Sequence, residues 1–344
     1  MPGNGPLRRG ALAAARTPLF STLVAALDRA DSGGGRFTAL LYHRIGVPDR
    51  ASSLDPSLIS ATPEAFEAQI AYIAARRYAL SLDELLDVRR GRARLPPRSV
   101  LVTFDDAYRD FAEHAWPVLR RYDVPAVLFV PTAYPDDPER AFWWDRLYAA
   151  LHGTSETTLK LPWSTLRLRN AAERVQAFRD VSSRMKTLDH KSAMALLDAV
   201  ETELKAPRLS GTVLGWDELR RLAREGLAVA PHTRTHPLLD RLDPSKLDDE
   251  IRGSARDLER ELGAAPPAFA YPGGGHSDAV VASVARAGFE LAFTTGRGGN
   301  DLHAADWLRL RRTNVGLRSS LAVVRAQLLS RPRRPQPIAR SVSV

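Results

Sequence analysis

Six short apolar runs alternate with stretches of helical periodicity along this chain, which restricts it to a β/α architecture with a parallel sheet or barrel. The runs are 38–42, 99–104, 126–130, 227–230, 268–271 and 290–294. Each is almost continuously hydrophobic, which predicts strands covered on both faces. The helices between them are punctuated locally. Thr62-Pro63-Glu64 supplies an N-cap and a first-turn proline, and Ser81 to Glu84 reads as a capping box. A helix from Trp216 stops at Gly226, and Ser277 caps one that runs to Gly288. The interval 135–211 breaks the alternation: it carries Phe142-Trp143-Trp144-Asp145 and at least two helical stretches. It is read as a helical insertion whose aromatic residues either pack as a satellite core or line a groove.

With 344 residues, 44% of them hydrophobic, the chain is long enough for one large α/β domain plus decorations. Three parts are expected: an extension over 1–36, the main domain over 37–316, and a tail over 317–344. That tail holds six arginines and no acidic residue, two-thirds of the net charge of +9. It is expected to be solvated, with peripheral contact to an anionic membrane as the alternative. No nucleic-acid module accompanies it, so nucleic acid is not an expected partner. Arg16 and Pro18 interrupt the apolar N-terminal stretch, and no window resembles a spanning helix. The expected location is therefore cytoplasmic or peripheral to a membrane.

Two strand ends carry chemistry. Ser99 to Phe104 runs directly into Asp105 and Asp106, and ligands bind at the carboxyl ends of strands in α/β proteins. Adjacent acids repel, so a cation or a shared proton must separate their roles. Such a pair also caps helices or holds Mg²⁺ in phosphotransfer domains. The run 227–230 ends in Pro231-His232-Thr-Arg-Thr-His236-Pro237, and on a helical turn histidines four apart share a face. Cysteine is absent, so any metal must be held by His, Asp or Glu. Two histidines and a carboxylate form an open three-ligand site of the catalytic kind, and the second carboxylate is then available as a base. A third run, Ala268 to Tyr271, enters Pro272-Gly273-Gly274-Gly275-His276, a turn that lets backbone approach a ligand closely.

In order and flanks, Thr103-Phe-Asp-Asp106, His232-Thr-x-x-His236-Pro and Phe269-x-Tyr271-Pro-x-Gly resemble the polysaccharide deacetylase family, the NodB-homology or family-4 carbohydrate esterases. The segment 215–226 before the histidines and Leu40-Leu-Tyr-His43-Arg fit the same pattern, so the likeness spans roughly 37–316. The resemblance implies a distorted (β/α) barrel that removes N-acetyl groups from amino sugars of a polysaccharide or glycan precursor. By position it implies Asp105 as general base and Asp106, His232 and His236 as ligands of a divalent metal, usually zinc. It makes the backbone amide of Tyr271 an oxyanion donor.

Two family features lack an obvious counterpart. Where many members have an arginine before the Tyr-Pro motif, this chain has Pro266, Pro267 and Ala268, which leaves Arg312 (or its neighbours Arg309 and Arg311) to tune the base. Asp306-Trp307 is similar to the family's Asp-Trp element, but the late Leu-x-His motif that supplies the acid is missing. His43, His276 and His303 are the candidates to replace it. Two other readings stand beside deacetylation: an amide hydrolase with a non-carbohydrate substrate, and a metal-containing glycan-binding protein without catalysis.

Overall fold

The computed structural model describes residues 17–30, 34–48, 54–137, 139–206 and 209–329. Its strands are β1 (Arg36–Tyr42), β2 (Arg44–Ile45), β3 (Ile59–Ala61), β4 (Tyr78–Ala79), β5 (Ser99–Asp105), β6 (Ala126–Val130) and β7 (Thr158–Leu161). They continue with β8 (Ser164–Arg167), β9 (Ala228–Pro231), β10 (Ala268–Ala270), β11 (Leu291–Phe293), β12 (Asn300–Asp301) and β13 (Arg312–Asn314). All six apolar runs expected to be strands contribute one.

The main sheet runs β12-β1-β5-β6-β9, with β13 added to β1 and β4 to β5. Every pairing in it is parallel except β1 with β12. Strands β10 and β11 form a separate parallel pair, so the ring of strands is not closed by hydrogen bonds among the described residues. Packing closes it instead. Phe37 and Ala39 of β1, Leu101 of β5, Val127 and Phe129 of β6, and Ala230 of β9 share one buried cluster with Ala268, Ala270, Leu291 and Phe293. Alternate residues of the strands thus line the interior of a distorted barrel. The opposite faces, among them Val100, Val102, Phe104, Leu128 and Val229, pack with Phe66 and Ile70 of the helix Pro63–Arg76 and Leu219 and Leu222 of the helix Trp216–Arg224. Burial on both faces accounts for the continuous apolar runs.

The interval 135–211 contains helices Trp143–Gly153, Ala171–Met185 and His190–Leu204 and the hairpin β7–β8. They bury their own cluster, centred on Leu151, Val181, Leu197 and Val200. At the chain ends, the helix Pro18–Ala30 packs against the helix Leu321–Leu328, burying Val24 on one and Val324 and Leu328 on the other. The sequence suggests a solvated 317–344, but Val324 and Leu328, a helical turn apart, are buried within the basic stretch. Residues 330–344, with four of the six arginines, and residues 1–16 lie outside the described residues. No helix among the described residues is long and apolar enough to cross a membrane.

Candidate active site

Leu101, Thr103 and Asp105 alternate onto the inner face of β5, so the strand delivers the Asp105 carboxylate to the mouth of the barrel. There it meets Arg312, which β13 supplies from alongside β1. Arg312 Nη1 and Nη2 donate to Asp105 Oδ1 and Oδ2 at 2.6 and 2.7 Å, and Nε donates to the Thr294 carbonyl at 3.0 Å. The guanidinium also lies over the Phe129 ring. Burial alone would raise the Asp105 pKa, but Arg312 and then His232 outweigh it, and the carboxyl is held down at about 2.

Asp106 sits one residue on, in a turn where its own φ is 74° and that of Ala107 is 53°. Both values lie in the left-handed region, where a side chain other than glycine is strained. The turn directs the two neighbouring carboxylates to different partners. Asp106 Oδ1 lies 3.3 Å from His236 Nε2 and 3.7 Å from His232 Nε2, yet it accepts no hydrogen bond. Burial, and then the charges of Asp105 and Asp145, push its pKa well up. Donor atoms of Asp106, His232 and His236 all lie within 4.8 Å of one another.

The histidines are not on a helical turn. After β9 the chain follows an irregular loop in which Thr233 has φ 64° and His236 has φ 59°. Side chains hold that loop where helical bonds would otherwise do so. Thr233 Oγ1 accepts the His236 N–H at 3.0 Å, and Glu250 Oε2 accepts the N–H groups of Arg234 and Thr235 at 2.9 Å each. Arg234 Nε in turn donates to Asp257 at 2.9 Å. Glu250 and Asp257 lie on the helix Leu247–Leu262 and were not singled out from the sequence, because only the fold brings that helix under the loop. His232 Nδ1 lies 2.7 Å from the Ala270 carbonyl, which fixes the proton on Nδ1 and leaves Nε2 facing the carboxylates. Burial lowers the pKa of both rings, so each is neutral and able to ligate.

The remaining candidates divide. His43 lines the same cleft, and burial pushes its pKa down to about 4. Asp306 is exposed and paired with Arg309, outside the cleft lining. His276 stacks on Tyr271 and His303 lies beside Gly35, and neither lines the cleft. The Tyr271 N–H donates to the Phe293 carbonyl at 3.0 Å, continuing the β10–β11 ladder, and its hydroxyl donates to the Leu308 carbonyl. Gly273, two residues on, lines the cleft at φ 59°. Gly274 beside it has no room for a side chain, since a Cβ would come within 2.2 Å of Thr295 Oγ1.

A buried network behind the site was also invisible in the sequence. Tyr108 donates to Asp145 Oδ2 at 2.6 Å, Trp144 Nε1 donates to the Tyr108 hydroxyl at 2.8 Å, and Asp145 Oδ1 accepts the Asp55 N–H at 2.8 Å. It ties the turn carrying Asp106 to the first turn of the helix Trp143–Gly153. In front, the insertion walls a cleft of about 1170 Å³, with Trp143, Trp144 and Tyr148 on the same surface as the site residues. The aromatic run thus serves both expected roles, with Phe142 in the main core and the two tryptophans at the cleft.

The chain is 30% identical over 103 residues to a poly-beta-1,6-N-acetyl-D-glucosamine N-deacetylase of Escherichia coli (strain K12), a match covering 30% of this chain and 15% of that protein. A Staphylococcus aureus (strain MSSA476) protein of the same name matches at 30% over 105 residues, 28% of this chain and 36% of its own length. The match therefore spans well under half of either relative. Among solved structures, the Streptococcus pyogenes deacetylase PplD, in complex with acetate, superposes with a TM-score of 0.59 at 20% identity, covering 85% of this chain and 98% of that one. IcaB from Ammonifex degensii gives 0.54 at 20% identity, covering 86% and 98%. These likenesses establish the shared fold. The family model for polysaccharide deacetylases matches residues 92–292, more than half of the chain and all three motifs, and the chain belongs to the polysaccharide deacetylase family.

Proposed function

We propose that this protein is a metal-dependent N-deacetylase that hydrolyses the acetamido group of an amino sugar in a glycan. The observation that carries the reading is the buried Asp106 oxygen, unpartnered and facing two imidazole nitrogens beside the Asp105–Arg312 pair. An ionised oxygen buried in this way is costly unless a cation meets it. Two imidazoles and one carboxylate suit a catalytic zinc site, so the residues present fit a divalent ion. When bound, such an ion supplies Lewis acidity toward the acetyl carbonyl and lowers the pKa of water.

The chain's own groups do the rest. Asp105, held ionised and oriented by Arg312, takes the proton of the attacking water. The turn Tyr271 to Gly273, which meets the cleft at Gly273, supplies the backbone donor to the developing oxyanion. Among His43, His276 and His303 it is His43 that lines the cleft, and as a neutral imidazole it can relay to the leaving amine the proton that Asp105 takes from the water.

The test is acetate release from N-acetylglucosamine oligomers by the zinc-loaded protein and its Asp105→Asn variant. A loss of about 10²-fold or more is expected for the variant. Equal rates would refute the base assignment. Tight metal binding with no acetate release from any acetylated glycan would favour the glycan-binding reading.

A further inference from the structure

The cleft in front of the site carries charge that the deacetylation chemistry does not use. Arg179 and Lys186 come from the insertion helix Ala171–Met185 and its C-terminal end, and Arg241 from the loop after His236. All three line the cleft, and none of their side chains makes an ion pair or hydrogen bond with another described residue. The Lys186 ammonium lies over the Trp143 ring, 5.8 Å from its centre. Neighbouring cations are treated differently. Arg146 binds Asp198 and Glu201, Arg169 binds Glu173, and Arg234 binds Asp249 and Asp257.

Carboxylates in the cleft cannot neutralise the three. Asp55 is buried and accepts the N–H and hydroxyl of Ser57, Asp105 is committed to Arg312, and Asp106 faces the histidines. The wall of the cleft therefore carries three cations without an ionic partner among the described residues, beside the aromatic side chains Trp143, Trp144 and Tyr148.

We propose that this wall receives an anionic group of the substrate, so that the protein acts on an acidic glycan, with a carboxylate or phosphate beside the acetamido sugar. The inference rests on the deacetylase reading and names its substrate class. A homopolymer of N-acetylglucosamine suits the wall poorly, because each acetyl group removed uncovers an ammonium that Arg179, Lys186 and Arg241 repel.

Binding tests this separately from turnover. Calorimetry with the zinc-loaded Asp105→Asn variant would compare a hyaluronan hexasaccharide, N-acetylglucosamine 1-phosphate and neutral chitohexaose. At least one acidic ligand should bind about tenfold tighter than its neutral counterpart (N-acetylglucosamine for the phosphate), with an advantage that shrinks in salt. Which ligand it is separates carboxylate from phosphate. Adding Arg179→Ala, Lys186→Ala and Arg241→Ala together should abolish the advantage. Neutral ligands binding as tightly as both acidic ones would overturn the proposal, as would a preference that survives the triple substitution. A polygalacturonate oligosaccharide, acidic but without acetamido groups, binding equally well to the triple variant would also overturn it. Anion preference without acetate release by the wild type would count against the deacetylase reading. Acetate release without anion preference would count against the anionic wall.

Discussion

A guanidinium with no solvent exposure has to be matched donor by donor, and Arg312 is matched by two carboxylate oxygens and a carbonyl. Removing it leaves Asp105 buried and unpaired. Arg312→Met should therefore destabilise the fold by roughly 3–5 kcal/mol in urea denaturation. Combined with Asp105→Asn, it should cost clearly less than the sum of the two single changes. Strict additivity would mean that the pair is not coupled. At this scale the sequence was most legible where a buried strand ends in polar residues, because the carboxyl ends of such strands border the crevice in which ligands bind. Asp105, Asp106, His232 and His236 were readable for that reason. Arg312 was readable only as one of three arginines, since the partner of a side chain is not visible in the chain order. The bond from the Tyr271 N–H to the Phe293 carbonyl is hidden in the sequence on the same ground, because the partner of a backbone N–H depends on the strand beside it.

Elements fix how these residues meet. The sequence suggested a helical turn for His232 and His236, but Glu250 and Thr233 satisfy the loop's N–H groups and allow two left-handed residues instead. The helix Trp143–Gly153 is anchored by Asp145, whose pKa is pushed up to about 7. Burial is the cause and prevails over the hydrogen bonds from Tyr108 and the Asp55 N–H. Because the folded state holds this proton more tightly than the unfolded one, the associated stability is complete below about pH 4 and is lost as the pH rises through about 7. Asp145→Asn keeps the neutral shape and removes the titration. Urea midpoints of wild type should thus fall relative to the variant between about pH 4 and pH 8. Parallel midpoints across that range would show that Asp145 is ionised throughout in the fold. The group was not legible in the sequence, where Asp145 is simply the last residue of an aromatic run.

At the scale of the whole molecule, the barrel, the insertion and the two chain ends are held by different means. Hydrophobic packing closes the barrel, and the insertion has its own apolar cluster. The alternation of strands and helices made the barrel legible, whereas the joining of the chain ends depends on contacts between residues some 300 positions apart. Asp28, 3% exposed on the N-terminal helix, accepts hydrogen bonds from Tyr72 and Arg77, from Arg98 at 3.2 Å and from Arg325 of the C-terminal helix at 3.5 Å. Gln69 adds a bond to the Ser319 carbonyl at 3.0 Å, and Arg325 lies over the Tyr72 ring. Three guanidinium groups thus converge on one carboxylate. Removing that carboxylate leaves them to repel one another with little solvent to screen the charge. Asp28→Ala should cost roughly 3 kcal/mol and loosen both terminal helices together, because each is held to the barrel partly through the same residue. Limited proteolysis should release fragments from both ends of the variant at matching rates. Release of one helix with the other still protected would show that the ends are anchored independently, with packing of Val24 against the C-terminal helix outweighing the shared charge cluster.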